Sequence, residues 1–219
     1  MSKHYGEHRV LDDVSIEFPS DHVSYIMGRN GTGKTTLFKC LLGLESHAGN
    51  ITFDGKPLGE CRHLVYTVFD DCPFYPHLNG YENLSLHLGR PLGKREVEEA
   101  ARDVLTSQDL RRRVGKYSYG QRKKLSAVGM ALSGARFILL DELANGMDFE
   151  SVEWLQALVA RAKKNATIIA TGHQFDFYHK IADSVHIIAG GHLERADHDS
   201  DDPGSLESLY RERILCDLA

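Results

Sequence analysis

The residues best equipped for chemistry stand in one run, Gly28-Arg29-Asn30-Gly31-Thr32-Gly33-Lys34-Thr35, with Thr36 next in line. The run fits the pattern GxxxxGK[ST] in full. Glycines at this spacing let the chain curl until successive N–H groups face one point, and a helix starting after the turn adds its partial positive charge there. A phosphate suits such a nest, so the loop is expected to bind a nucleoside triphosphate. Lys34 brings a compact cation for the β- and γ-phosphates, and the Thr35 hydroxyl can coordinate Mg2+. A second run, Phe137-Ile138-Leu139-Leu140-Asp141-Glu142, ends an apolar stretch on two carboxylates. Alone, that is how many strands meet solvent. Downstream of a phosphate loop, it lets Asp141 reach the metal through water and lets Glu142 polarise the water that attacks a γ-phosphate.

Elements must hold these runs at one edge. Strand patterns fall at 10–18, 23–27, 50–54, 64–69, 136–140, 166–171 and 184–189, with Asp54-Gly55 as a turn signal. Helical spacing falls at 34–42, 82–88, 94–106, 121–132 and 149–163. Strands alternating with helices imply a mainly parallel sheet covered on both faces. The helical block from about 70 to 132 reads as an insertion into that α/β core. The acidic run from Glu194 to Asp202 reads as a solvated loop, and a short helix over 205–215 closes the pattern.

The 219 residues suit one domain, and 42% hydrophobic with 26% charged residues is ordinary for a globular chain. A formal net charge of −5 argues against nucleic acid, whose binders carry a basic excess. The polar start, Met1 to Asp13, lacks the apolar core of a signal peptide, and no apolar run approaches the ~20 residues that span a bilayer. Work at a membrane therefore calls for another chain to supply the membrane segment. Cys40, Cys61, Cys72 and Cys216 are scattered, without a CxxC pair, and read as reduced thiols.

Taken with what lies between them, the two runs resemble the nucleotide-binding domains of ABC (ATP-binding cassette) proteins, over about Met1 to Glu194. The discriminating segment is Tyr117-Ser118-Tyr119-Gly120-Gln121, similar to the family's LSGGQ signature at the start of a helix. The resemblance implies an α/β P-loop NTPase with a RecA-like mainly parallel sheet core, an N-terminal antiparallel β subdomain and an inserted helical subdomain. It divides the single domain into a core of 1–69 and 134–195, a helical and signature lobe of 70–133, and a tail of 196–219. It further implies that Ser118, Gly120 and Gln121 meet a γ-phosphate held by the opposite subunit, with Ser118 as the helix N-cap. Asn145-Gly146-Met147-Asp148 resembles the D-loop, which communicates across the dimer through Asp148. His173 resembles the switch histidine that contacts the γ-phosphate, and Tyr5 the aromatic that stacks on adenine. The implied catalytic set is Glu142, His173 and Lys34; the metal set is Thr35, Asp70 and Asp141; the implied ligands are ATP and Mg2+.

Two positions depart from the family pattern. Asp70 stands where the family usually has Gln, which adds negative charge beside the phosphates. Tyr117 and Tyr119 replace Leu and the first Gly of the signature, and YSxG patterns look similar to those of ATPases serving small exporters. The basic cluster Arg111-Arg112-Arg113, Lys116 and Arg122-Lys123-Lys124 reads as added positive potential at the shared site, or as solvated charge, rather than a nucleic-acid footprint. The resemblance implies a second ATPase subunit, identical or related, and a separate multi-spanning permease that holds the chain at the cytoplasmic face of the cell membrane. Two alternatives stay open: a soluble ABC ATPase outside transport, such as one assisting iron–sulfur assembly, and a nucleotide-binding regulatory module with little turnover.

Overall fold

The computed structural model describes residues 1–215. Strands β1 (Lys3–Tyr5) and β2 (His8–Leu11) form a small antiparallel pair around a tight turn. Strand β3 (His22–Met27) leads into helix α1 (Lys34–Leu41), and the short helix α2 (Leu58–Cys61) precedes strand β4 (Val65–Val68). Four helices follow: α3 (Gly80–His87), α4 (Lys94–Ala101), α5 (Ser107–Arg111) and α6 (Tyr119–Ser133). Then come β5 (Phe137–Asp141), α7 (Phe149–Ala162), β6 (Thr167–Thr171), α8 (Phe175–Ile181), β7 (Ser184–Ala189), β8 (His192–Ala196) and α9 (Ser205–Tyr210). A wider π turn over Arg211–Leu215 continues α9.

Six strands form the main sheet in the order β4-β5-β6-β3-β7-β8. All neighbours are parallel except the edge pair β7–β8. Because side chains alternate across a strand, each central strand feeds two cores. Val23, Tyr25, Ile138, Leu140, Ile168 and Ala170 point to one face and pack with Leu155, Leu158 and Val159 of α7 and Phe177, Tyr178 and Ile181 of α8. Ile26, Leu139 and Ile169 point to the other, against Leu37 and Phe38 of α1. Burying each such side chain stabilises the fold by about 1.5–3 kcal/mol. The helical lobe has its own core, including Tyr81, Leu84, Val97, Leu110, Tyr117 and Leu125, and Trp154 of α7 packs against both it and the sheet. Three capping boxes organise the lobe: Asn79 with Glu82 starts α3, Thr106 with Asp109 starts α5, and Ser118 with Gln121 starts α6.

Four expectations are corrected. The strand expected at 10–18 ends at Leu11, where Asp13 takes φ 47 and the Asp12 and Val14 amides turn to the carbonyls of Gly191 and Met1. Val14, Ile16 and Phe18 still pack on the core, without a ladder. At 50–54 only an isolated Phe53–Lys56 bridge forms, around Asp54 with φ 50. The helix expected to run to 106 stops at Ala101, whose carbonyl accepts from both Val104 and Leu105 before Thr106 caps the next helix. The acidic run is not all loop, since Glu194, Arg195 and Ala196 pair with β7. Cys40, Cys61 and Cys72 are buried free thiols; Cys216 and the end of the expected 196–219 tail lie outside the described residues. Among those residues no helix is long and apolar enough to cross a membrane.

Candidate functional site

The phosphate loop leaves β3 at the sheet's C-terminal edge and enters α1 through Gly33, whose φ of 107 only glycine adopts without strain. Lys34 folds back so that its Nζ donates to the carbonyls of Gly28 (2.6 Å) and Arg29 (3.0 Å). Its burial lowers its pKa, while the nearby Glu142 and Asp141 charges act in the opposite direction. The next residue, Thr35, donates its hydroxyl to Asp141 Oδ2 at 3.0 Å. Thr171 donates to the other oxygen, Oδ1, at 2.6 Å. That second contact follows from the fold, because Asp141 and Thr171 are register partners on the parallel strands β5 and β6. Both oxygens of Asp141 are therefore oriented before any ligand arrives.

Glu142 follows directly, with φ 54, a left-handed conformation that costs a non-glycine residue about 1–3 kcal/mol. Three groups hold it there. Its N–H donates to the Thr171 carbonyl at 3.0 Å. Asn145 Nδ2 donates to Glu142 Oε2 at 2.9 Å, and His173 Nε2 stands 3.5 Å from Oε1. The same His173 nitrogen lies 2.9 Å from Asn30 Oδ1, so the histidine bridges the phosphate loop and the carboxylate. These groups face an open cleft of about 370 Å3, lined by Asn30, Gly31, Gly33, Lys34, Thr35, Thr36, Asp70, Asp141, Glu142, Asn145 and His173.

The other expected site residues lie apart from that lining. Gly28, Arg29 and Thr32 belong to the same loop; the Thr32 hydroxyl donates to the Arg29 carbonyl and stiffens it. Exposed Tyr5 sits on β1 with the Lys3 ammonium 4.6 Å from its ring centre. Desolvation and then the Glu45 carboxylate raise its pKa, and its hydroxyl also neighbours Thr36. Ser118 is exposed and is the N-cap of α6, accepting from the Gln121 amide at 3.1 Å while Gln121 Oε1 accepts from the Ser118 amide. Gln121 is further tied to Arg112 and Asp109. Gly120 is the second residue of that helix. Asp148 caps α7 through Ser151 and accepts from Lys124 at 2.7 Å, which pulls its pKa far below the usual carboxylate range.

Asp70 and Tyr119, the two departures, meet each other. The Tyr119 hydroxyl donates to Asp70 Oδ1, and Lys123 Nζ reaches the same oxygen at 3.0 Å. Lys123 is fully buried and also approaches the Asp141 carbonyl at 3.5 Å. The basic cluster is thus not uniformly solvated: Lys123 offsets the charge that Asp70 adds beside the pocket, and Lys124 holds Asp148. Sequence reasoning named Asn145 without its link to Glu142, and gave Thr171 no role beyond ending a strand. Asn145 sat inside the D-loop resemblance, three residues past Glu142, whereas Thr171 gives no local signal.

With this geometry in place, comparison with known proteins is decisive. The family model described as ABC transporter matches residues 11–145. This chain belongs to the ABC transporter family. Similar relatives include the glutamate transport ATP-binding protein GluA of Corynebacterium glutamicum, 30% identical over 87% of this chain and 85% of that protein. The bacitracin transport ATP-binding protein BcrA of Enterococcus faecalis is 28% identical over 88% of this chain and 66% of its own length. Among solved structures, the ATP-binding subunit of an ABC transporter superposes with a TM-score of 0.78 at 22% identity, covering 97% of this chain and 90% of that one. The structure of cbiO1 from Clostridium perfringens, part of the ABC transporter complex cbiONQ, gives 0.73 at 21% identity, over 98% and 89%. At those identities the likeness speaks for the fold, which is that of an ABC ATPase subunit. Membership makes the chain a nucleotide-binding ATPase whose hydrolysis is coupled to transport.

Proposed function

We propose that this ABC ATPase hydrolyses ATP in two composite sites, each made from the phosphate loop of one subunit and the Ser118-Tyr119-Gly120-Gln121 turn of another. The observation that carries the reading is a division of labour. Lys34, Thr35, Asp141, Glu142 and His173 converge on one cleft, while Ser118 caps an exposed helix N-terminus outside it. Backbone amides at such a terminus suit a phosphate brought by a second subunit. Tyr5 would stack on the adenine, and Asp148 would sit where the two subunits meet.

Within one site, Lys34 and the loop amides hold the β- and γ-phosphates. Glu142, oriented by Asn145 and His173, accepts a proton from the attacking water, and His173 steadies that water against the γ-phosphate. Thr35 and Asp141 offer the hard oxygen ligands that Mg2+ prefers, with Asp70 at the rim of the cleft. Among the described residues no cluster of three or more His, Cys, Asp or Glu is placed to hold a metal ion. Mg2+ held by Thr35 and Asp141 together with a bound nucleotide would neutralise charge on the transferred group.

Closure of the dimer around ATP, and its release on hydrolysis, would pass through the lobe of residues 70–133 to a membrane-spanning partner. The YSxG form of the turn favours export. Affinity purification from solubilised membranes tests the transport role. A multi-spanning membrane protein retained by the chain and by Glu142→Gln supports it; soluble partners alone would contradict a separate membrane-spanning partner.

A further inference from the structure

Behind Glu142 and His173 two buried tyrosines stack face to face, Tyr25 of β3 and Tyr178 of α8, with ring centres 4.2 Å apart and planes within 7°. Neither ring touches the cleft, and stacking alone would be served by phenylalanine. Their hydroxyls instead go to consecutive carbonyls. Tyr178 donates to the Thr171 carbonyl, and Tyr25 donates to that of Gly172 at 2.7 Å. These two residues join the end of β6 to His173. The Thr171 carbonyl is also the acceptor for the strained Glu142 amide, and the Thr171 hydroxyl orients Asp141. Burial pushes both phenols well above their ordinary pKa, so they stay protonated and remain donors.

The packing leaves no slack at this point. A Cβ on Gly172 would lie 2.2 Å from the Tyr178 hydroxyl, so the backbone approaches that closely only because residue 172 has no side chain. One peptide segment thereby sets three things together: the direction of Asp141, the backbone of Glu142 and the exit of the chain towards His173.

We propose that Tyr25 and Tyr178 are positioning residues for ATP hydrolysis, acting as a two-hydroxyl clamp on the Thr171-Gly172 segment that holds Glu142 and His173 in register. The proposal rests on the reading of Glu142 and His173 as the hydrolytic pair. Neither hydroxyl bonds to the phosphate loop, so loosening the clamp should slow the chemical step and leave nucleotide binding to Lys34 and the loop amides untouched. Misplacing reacting groups by about 1 Å can cost up to ~100-fold in rate.

The test is steady-state hydrolysis and nucleotide affinity for Tyr25→Phe and Tyr178→Phe, which keep the stacked rings and lose only the hydroxyls. Gly172→Ala displaces the Tyr178 hydroxyl from the opposite side and serves as a third variant should either tyrosine variant fold poorly. Tyr66→Phe is the control, since its hydroxyl also donates inside the core, to the Ser126 carbonyl at 3.0 Å, away from this segment. The clamp predicts a kcat lowered roughly tenfold or more in the first three, with nucleotide affinity within about twofold of wild type and Tyr66→Phe near wild-type kcat. Wild-type kcat in the folded clamp variants overturns it, as does an equal fall of kcat in Tyr66→Phe, which would mark a general packing effect. Glu142→Gln in the same assay separates the two readings: if that variant still turns over ATP, the hydrolytic assignment has failed rather than the clamp.

Discussion

The cleft at the sheet edge and the turn at the start of α6 are built on opposite plans. In the cleft, groups from α1, β5 and the loops after β3, β4, β5 and β6 meet, and Asp141, Glu142 and His173 are each oriented by a neighbour distant in the chain. Asp141 lies between Thr35 and Thr171, and Glu142 between Asn145 and His173. In the turn, the contacts of Ser118 and Gln121 are local, closing on each other and on Arg112 and Asp109. The cleft is organised for chemistry; the turn is a finished helix cap with an exposed face. On the proposed composite site, one half is folded into place within the subunit and the other half is presented, as completing the site of a second chain requires. The Tyr119–Asp70–Lys123 contacts tie the two halves within a subunit, so movement of the turn is felt at the rim of the cleft.

The largest effect should come from the cleft. Glu142→Gln keeps the shape but loses the base, and hydrolysis should fall by about 100-fold or more while nucleotide binding persists. A phosphate-release assay beside equilibrium binding reads both; loss of binding instead would place Glu142 among the ligand contacts. The link between the halves comes next. Asp70→Ala strands the buried Lys123 ammonium, and because the Asp70 side chain is half exposed the stability loss should be about 1–2 kcal/mol rather than the 3–5 of a fully buried pair. Thermal unfolding of Asp70→Ala, Lys123→Met and the double variant measures the coupling, and additive losses would deny the pair. The smallest effect should be Asn145→Ala, which removes one hydrogen bond to Glu142 and should raise the barrier by about 1 kcal/mol, read as a several-fold fall in kcat at unchanged KM. A wild-type rate there would make Asn145 a bystander.

How much of this the sequence disclosed follows from what each group depends on. The phosphate loop and the Asp141-Glu142 pair are contiguous runs whose chemistry is written locally. Most central strands and long helices were legible within a residue or two, because their apolar periodicity matches the two cores. Thr171 was not, since its role arises from parallel register between β5 and β6, set by residues far apart in the chain. Tyr25 and Tyr178 carry no local signal in the sequence, and only packing reveals where their hydroxyls point. The strand expected at 10–18 failed for a related reason. Val14, Ile16 and Phe18 carry a strand's alternation, yet Asp13 turns the backbone out of the ladder and the side chains reach the core without it.

The composite site is tested most directly by mixing two inactive chains. Lys34→Ala disables the cleft and Ser118→Arg blocks the turn, so each homodimer has two dead sites. In a mixed dimer one site pairs the damaged cleft with the blocked turn, and the other pairs an intact cleft with an intact turn. The account predicts that hydrolysis absent from either variant alone reappears on mixing. A mixture as inactive as its components, with mixed dimers shown to form, would contradict a site shared between subunits.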